Sequence, residues 1–240
     1  ADKVPVNLNF PLGREQALSC LQRAEVDLVV TAGAFRAKLA EKSPDFPWGD
    51  RVLDVADFLT THPRADLACR IGLIRVLPTS WALACMGLPK HGGEAEAALL
   101  FTSGSSGLPK GVVLSHRNMI ANVIQFGSRL GMTESDSILG SLPLFHSFGC
   151  TVTLWYPIIG GVNLVTYPSP LETKKLAELI EKHRISLMIA TPTFLRGYLR
   201  GVNKEALTSI KLCVTGAEKL PTTVSDAFET KFGKRVYEGY

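Results

Sequence analysis

The stretch from Phe101 to His116, FTSGSSGLPKGVVLSH, constrains this chain more than any other. The apolar run Ala97-Ala98-Leu99-Leu100-Phe101 precedes it, and Val112-Val113-Leu114 follows. Between them lie Thr102, Ser103, Gly104, Ser105, Ser106 and Gly107, then Pro109, Lys110 and Gly111. Glycine accepts positive φ without strain, so such a run can turn several backbone N–H groups toward one point. Successive inward N–H groups form an anion-binding nest. The hydroxyls add donors and Lys110 adds a mobile positive charge; each charge-assisted hydrogen bond would contribute roughly 1.5–3 kcal/mol. A polyphosphate is the natural guest. A flexible linker has similar composition, but linkers are not pinned between two β-type runs and closed by Pro-Lys-Gly. The P-loop pattern G-x-x-x-x-G-K-[ST] fails, because Lys110 follows Pro109 and Gly111 stands where Ser or Thr belongs. Pro109 also disfavours helical geometry at Leu108. The predicted arrangement is strand–loop–strand, whereas a P-loop NTPase requires a helix directly after Lys110.

At 240 residues the chain can bury a large core, as one large domain or two small ones. Apolar residues make up 46% and charged residues 20%, a globular rather than disordered composition. A net charge of +4 is too mild to argue for nucleic acid, so none is expected as a partner. Cys20, Cys69, Cys85, Cys150 and Cys213 are scattered, with no CxxC pair, which suggests neither zinc nor a disulfide framework. They read as reduced core cysteines of a cytoplasmic protein. Asp2 and Asn7 interrupt any leader-like apolar run. No stretch reaches the ~20 apolar residues that span a bilayer. Ile71 to Leu88 comes nearest, broken by Arg75 and Pro78 and accompanied by Arg64, Arg70, Lys90 and Trp81. Three readings of it stay open: a segment lying on a membrane surface, a pair of helices packed in a core, or a cover for a missing neighbour.

The first part reads β-α-β-α. Val4 to Phe10 is a strand, Gly13 to Ala24 a helix, Asp27 to Thr31 a buried parallel strand and Ala34 to Glu41 a helix. That order implies a parallel sheet with right-handed crossovers. Pro44 to Asp50 is turn-rich, Val52 to Leu88 is mostly helical, and a linker falls at Pro89 to Glu94. Ser115 is a good N-cap for a helix reaching Leu130, with Ile120, Val123, Ile124, Gly127 and Leu130 as its apolar stripe. Strands are expected at Ser137–Leu142, Val162–Tyr167, Leu187–Thr191, Leu212–Thr215 and Val236–Tyr237. Helices are expected at Cys150–Ile159, stopped by Gly160-Gly161, and at Leu171–His183, with Lys174–Glu178 and Glu178–Lys182 pairs. Two more fall at Thr193–Leu199 and Pro221–Phe232. The fold class is therefore α/β with layered subdomains and mostly parallel sheets: a partial N-terminal subdomain over 1–94 and a nucleotide-binding subdomain over 95–240. In open α/β sheets ligands sit at the carboxyl ends of strands. Three segments occupy that place: the phosphate loop, Pro143–Gly149 and Gly216-Ala217-Glu218. His146, between Phe145 and Phe148, reads by itself as a packing residue more readily than as a catalyst, and Gly216 is as compatible with a plain turn as with a site.

FTSGSSGLPKG resembles the phosphate loop of the adenylate-forming superfamily of acyl-CoA synthetases, luciferases and peptide-synthetase adenylation domains. PLFHSFG is similar to its second core motif, Gly216-Ala217-Glu218 to its adenine-side segment, and Tyr237-Glu238-Gly239-Tyr240 to the start of its YEGYGxTE motif. The resemblance implies that Thr102, Ser103, Gly104, Ser105, Ser106, Gly107 and Lys110 hold ATP phosphates with Mg²⁺. It also implies that His146 lies near the substrate carboxylate and the α-phosphate, and that Tyr240 stacks on adenine. The chain stops at Tyr240, so the motif's glutamate and the small lysine-bearing C-terminal domain are expected outside it. Little turnover is expected from this stretch alone. VVLSHRNMIANVIQ, LPLFHSFGCTVTLWYPIIGG, VTYPSPL, VTGAEKLP and VNLNFPLG look most like acyl–acyl-carrier-protein synthetases, the ligase halves of bifunctional 2-acylglycerophosphoethanolamine acyltransferases. Long-chain fatty-acyl-CoA ligases are next. The implied substrates are a fatty acid, ATP and the thiol of acyl-carrier protein or CoA, at the inner face of a membrane. Apolar residues near Phe148, Trp155 and Ile158 either wall an acyl tunnel or form ordinary helix core. A non-catalytic module docking membrane or carrier protein is the competing reading.

Overall fold

The computed structural model describes residues 3–61, 64–88, 92–102 and 108–239, which form two compact units, Ala1–Arg117 and Asn118–Tyr240. The first unit contains β1 (Val6–Asn7), α1 (Arg14–Arg23), β2 (Val29–Thr31), α2 (Gly33–Ala40), β3 (Val52–Asp54) and α3 (Val55–Thr61). It continues with α4 (Arg64–Val76), α5 (Thr79–Cys85), β4 (Glu96–Thr102) and β5 (Lys110–Ser115). The chain then enters α6 (His116–Leu130), whose length matches the helix expected after Ser115.

The single parallel sheet expected from the opening β-α-β-α pattern does not form. β1 instead pairs in parallel with β4, setting Val6 opposite Leu99, and β4 pairs antiparallel with β5. β2 finds its parallel partner in β3, with Val29 opposite Val52. β3 lies in the stretch read as helical; three residues running straight into α3 are too few to show a period of two. The predicted burial of Asp27–Thr31 also fails: Val30 is 58% exposed, because a two-stranded sheet leaves little to cover it. The boundary expected near residue 94 falls inside the first unit, where β4 is shared by β1 and β5. The core here is small, with Ala17, Leu39 and Phe46 clustered and Trp48 against them.

The second unit is ordered as β6 (Ser137–Gly140), α7 (Ser147–Cys150), a π-helical turn (Thr151–Trp155), α8 (Tyr156–Gly160), β7 (Asn163–Thr166) and α9 (Thr173–His183). There follow β8 (Leu187–Ala190), α10 (Pro192–Gly201), β9 (Leu212–Thr215), α11 (Thr222–Phe232) and β10 (Val236–Glu238). The five strands form one parallel sheet in the order β10-β9-β8-β6-β7. Alternate side chains point to opposite faces of a strand, and the two cores divide accordingly. Met188 and Ala190 join Leu176, Ile180, Leu195, Tyr198 and Phe228 in one cluster; Leu187 and Ile189 join Val123, Val152 and Tyr156 in the other. Burial on both faces is why β8 reads as a continuous apolar run.

Local details refine the expectations. In α6 only Val123 of the stripe is buried; Ile120 and Ile124 are exposed, and the packed face is Val123, Phe126 and Leu130, with Gly127 against the Tyr156 ring. In α9 the observed ion pair is Lys175–Glu178, at 2.6 Å, a spacing of three rather than the predicted four. Cys20, Cys150 and Cys213 are buried, as core cysteines should be, but Cys69 and Cys85 are exposed, because α4 and α5 bury almost nothing. Burial pushes the Cys213 thiol up to about 12. At the amino end of the sheet, Asp136 accepts a hydrogen bond from Lys211 Nζ at 2.8 Å and from the Thr133 N–H at 3.0 Å. The Lys211 ammonium first, then the Thr133 N–H, hold its carboxyl well below the usual range.

Candidate active site

The carboxyl edge of the second unit's sheet brings two of the predicted segments together. Beyond β6 the chain runs through Pro143 to His146 and re-enters helix at Ser147, earlier than the predicted Cys150, because His146 caps the turn. His146 Nδ1 accepts the Phe148 N–H at 3.3 Å. A neutral imidazole with Nδ1 occupied as acceptor carries its proton on Nε2. The exposed His146 ring therefore offers a donor at Nε2. Gly149 is required here: a Cβ at this position would strike the Pro143 carbonyl oxygen and lie 3.2 Å from Leu142 Cβ.

The helix then widens into the π-helical turn Thr151–Trp155, a feature that often accompanies functional sites. The Thr153 hydroxyl donates to the Gly149 carbonyl at 2.7 Å, back-bonding across this turn. Phe148 and Trp155 are half-buried against the core, while Ile158 is 62% exposed. The Trp155 Nε1–H is buried and has no protein partner among the described residues.

The second segment follows β9. Thr215 is wholly buried, and its Oγ1 likewise lacks a partner among the described residues. Gly216 leaves no room for a side chain, since a Cβ would lie 2.8 Å from the Gly239 carbonyl oxygen and 3.1 Å from Phe148 Cζ. The Phe148 ring thus rests against Gly216 and joins the two segments. Ala217 has φ +66°, a left-handed conformation that costs a non-glycine residue ~1–2 kcal/mol. Such strain persists where surrounding contacts impose it. Here the Thr193 hydroxyl donates to Glu218 Oε2 at 2.7 Å, the Leu220 N–H to Glu238 Oε1 at 2.8 Å, and the Gly239 N–H to the Thr215 carbonyl at 2.7 Å. Thr193 is a structural partner that motif reading passed over, and Glu238, named as part of a motif, had no role assigned to it. Thr193 was discoverable, because Thr191-Pro192-Thr193 follows β8 at the same sheet edge.

In the first unit, Thr102 ends β4 and Lys110 begins β5, opposite one another in the ladder. A strand directly after the loop removes the P-loop NTPase alternative. Arg23 Nη1 donates to the Pro109 carbonyl at 2.7 Å, tying α1 to the Lys110 end of the loop. Nothing in the sequence pattern around Arg23 pointed to this contact. Ser103, Gly104, Ser105, Ser106 and Gly107, and also Tyr240, lie outside the described residues. Among the described residues no group of His, Cys, Asp or Glu is arranged to hold a metal ion.

Comparison with known proteins agrees with these motifs. The family model described as AMP-binding enzyme matches residues 1–240. The chain belongs to that family. Among its relatives, the long-chain-fatty-acid–CoA ligase of Bacillus subtilis (strain 168) is 35% identical over 160 residues, covering 64% of this chain and 28% of the relative. The 4-hydroxybenzoate–CoA/benzoate–CoA ligase of Rhodopseudomonas palustris is 24% identical, covering 98% of this chain and 42% of the relative. This AMP-binding chain thus spans less than half the length of those relatives. In fold it is similar to the inhibitor-bound N-terminal domain of FACL13 from Mycobacterium tuberculosis, with TM-score 0.75, 22% identity, and coverage of 99% of this chain and 56% of that one. It is also similar to the O-succinylbenzoate coenzyme A synthetase of Bacillus subtilis in complex with ATP and magnesium ion, with TM-score 0.72, 23% identity, and coverage of 98% and 44%.

Proposed function

We propose that this chain is part of an AMP-forming acid–thiol ligase that activates a fatty acid with ATP and passes the acyl group to a thiol. One carboxylate oxygen attacks the α-phosphorus, the bond to pyrophosphate breaks, and acyl-adenylate forms. The thiol sulfur then attacks the acyl carbonyl, AMP leaves, and the thiol proton is lost to solvent. Such chemistry depends on positioning and charge neutralisation. The observation that carries the reading is the contact of Phe148 with Gly216, which sets the His146 turn beside the segment resembling an adenine site. In this reading the Nε2–H of His146 donates to an oxygen where carboxylate and α-phosphate meet. Thr102, Ser103, Gly104, Ser105, Ser106, Gly107 and Lys110 hold the phosphates, and Gly216, Ala217, Glu218 and Tyr240 border the adenine. Mg²⁺ enters as the nucleotide's counter-ion. Phe148 and Trp155 line the acyl side, and every residue named in this machinery falls in 95–240, the proposed nucleotide-binding subdomain.

The acceptor is acyl-carrier protein, as in the ligase halves of acyltransferases of phospholipid metabolism; CoA, as named for the long-chain relative, is the alternative. A fatty acid dissolves in bilayers, so peripheral contact with the inner face of a membrane belongs to the same reading. ATP–pyrophosphate exchange in the full-length protein tests it. Exchange should depend on added fatty acid, and Lys110→Ala should lower it roughly 100-fold. Unchanged exchange defeats the role of the loop, and carrier-protein binding indifferent to ATP with no exchange favours a non-catalytic docking module.

A further inference from the structure

Among the described residues of α3, α4 and α5 only Ala82 is buried. On α4, Leu67, Ile71 and Ile74 recur at the i, i+4, i+7 spacing that forms one stripe. They are 52%, 47% and 44% exposed. At about 100° per residue, Arg70 falls on one side of this stripe and Arg75 on the other. Just beyond, Trp81 on α5 is 66% exposed. The charge is one-sided: between Asp66 and Glu94 the sequence contains no Asp or Glu. Asp66 itself is paired with Arg70, at 3.1 Å. No helix among the described residues is long and apolar enough to cross a membrane.

An apolar stripe flanked by arginines, with an exposed indole nearby and no carboxylates following, matches the chemistry of a bilayer interface. Leucine and isoleucine enter the acyl boundary, arginines reach anionic headgroups, and tryptophan sits between. We propose that α4 and α5 form a peripheral docking surface for anionic lipid membranes, with the Leu67–Ile71–Ile74 stripe facing the acyl region. The proposal rests on the ligase reading for its purpose, since it places the enzyme where a fatty acid substrate is dissolved. The surface itself is defined without reference to the ATP site.

Flotation of the full-length protein with phosphatidylcholine vesicles, with and without phosphatidylglycerol, tests it. The wild type should float, and more strongly with phosphatidylglycerol. Leu67→Ser/Ile71→Ser/Ile74→Ser should lower the bound fraction by about 10-fold. Arg70→Gln and Arg75→Gln should each weaken binding to anionic vesicles roughly 5-fold and leave binding to neutral ones unchanged. Amide exchange over 65–76 should slow on vesicles. Absence of flotation, or flotation unchanged in both sets of variants, overturns the proposal. So does a triple variant that loses its cooperative melt in vesicle-free buffer, because the stripe would then be covered by protein. ATP–pyrophosphate exchange with a short, water-soluble acid separates the two readings. Exchange without vesicle binding removes the membrane surface alone, and vesicle binding without exchange for any acid removes the ligase.

Discussion

The two units use similar apolar composition to opposite effect. In the second, a parallel sheet sends alternate side chains into two cores, and Ile138, Leu187 and Ile180 are wholly buried. In the first, a two-stranded and a three-stranded sheet leave Val30, Leu59 and Val76 at 58%, 58% and 84% exposure. A sheet covered on both faces absorbs its own hydrophobic side chains. Short sheets with helices beside them leave such side chains free to meet something else.

Stability measurements on the full-length protein can break this contrast. Phe228→Ala should cost ~3–5 kcal/mol in chemical denaturation, against under about 0.5 kcal/mol for Leu59→Ala. Equal losses would mean that Leu59 is covered in the intact protein. Next in size is the effect at His146. Asn retains an acceptor near the Nδ1 position and should keep the cap and the melting temperature, yet lose about 100-fold in acyl-adenylate formation. Gln places an amide near Nε2 and should recover part of that rate. Full activity in His146→Asn would leave the ring a capping role alone.

A smaller effect is expected at the amino end of the sheet. Asp136→Asn should cost about 2 kcal/mol, the scale of hydrogen bonds to a charged group. The folded-state carboxyl titrates below its unfolded value. Its contribution is therefore present above the unfolded pKa of about 4 and lost as pH falls below it toward the folded value. Acid unfolding of wild type and variant should converge as the pH drops from about 4; a constant gap would contradict the assignment.

The second unit was legible because its strands are apolar runs bounded by turn residues. Leu212–Thr215 was read to the residue, and Gly161, at φ +66°, stops its helix as foreseen. The first unit was not, because β1 and β3 span two and three residues and their pairing depends on partners far along the chain. At the site, the motifs named His146 and Gly216. The Phe148 contact between them, the Thr193–Glu218 hydrogen bond and the Arg23–Pro109 contact depend on side-chain directions that no spacing encodes.

The widened turn at Thr151–Trp155 has a consequence for how such a pocket can diverge. A π-helical turn holds one residue more than regular α geometry. Deleting a single position there would let the turn close up to regular α geometry and re-aim the residues of the turn itself, while the chain beyond it stays nearly in phase. Trp155 would be re-aimed while the strands on either side kept their alignment. Insertions and deletions of one residue at this point thus provide a local adjustment for substrate choice, open to evolution and to engineering alike.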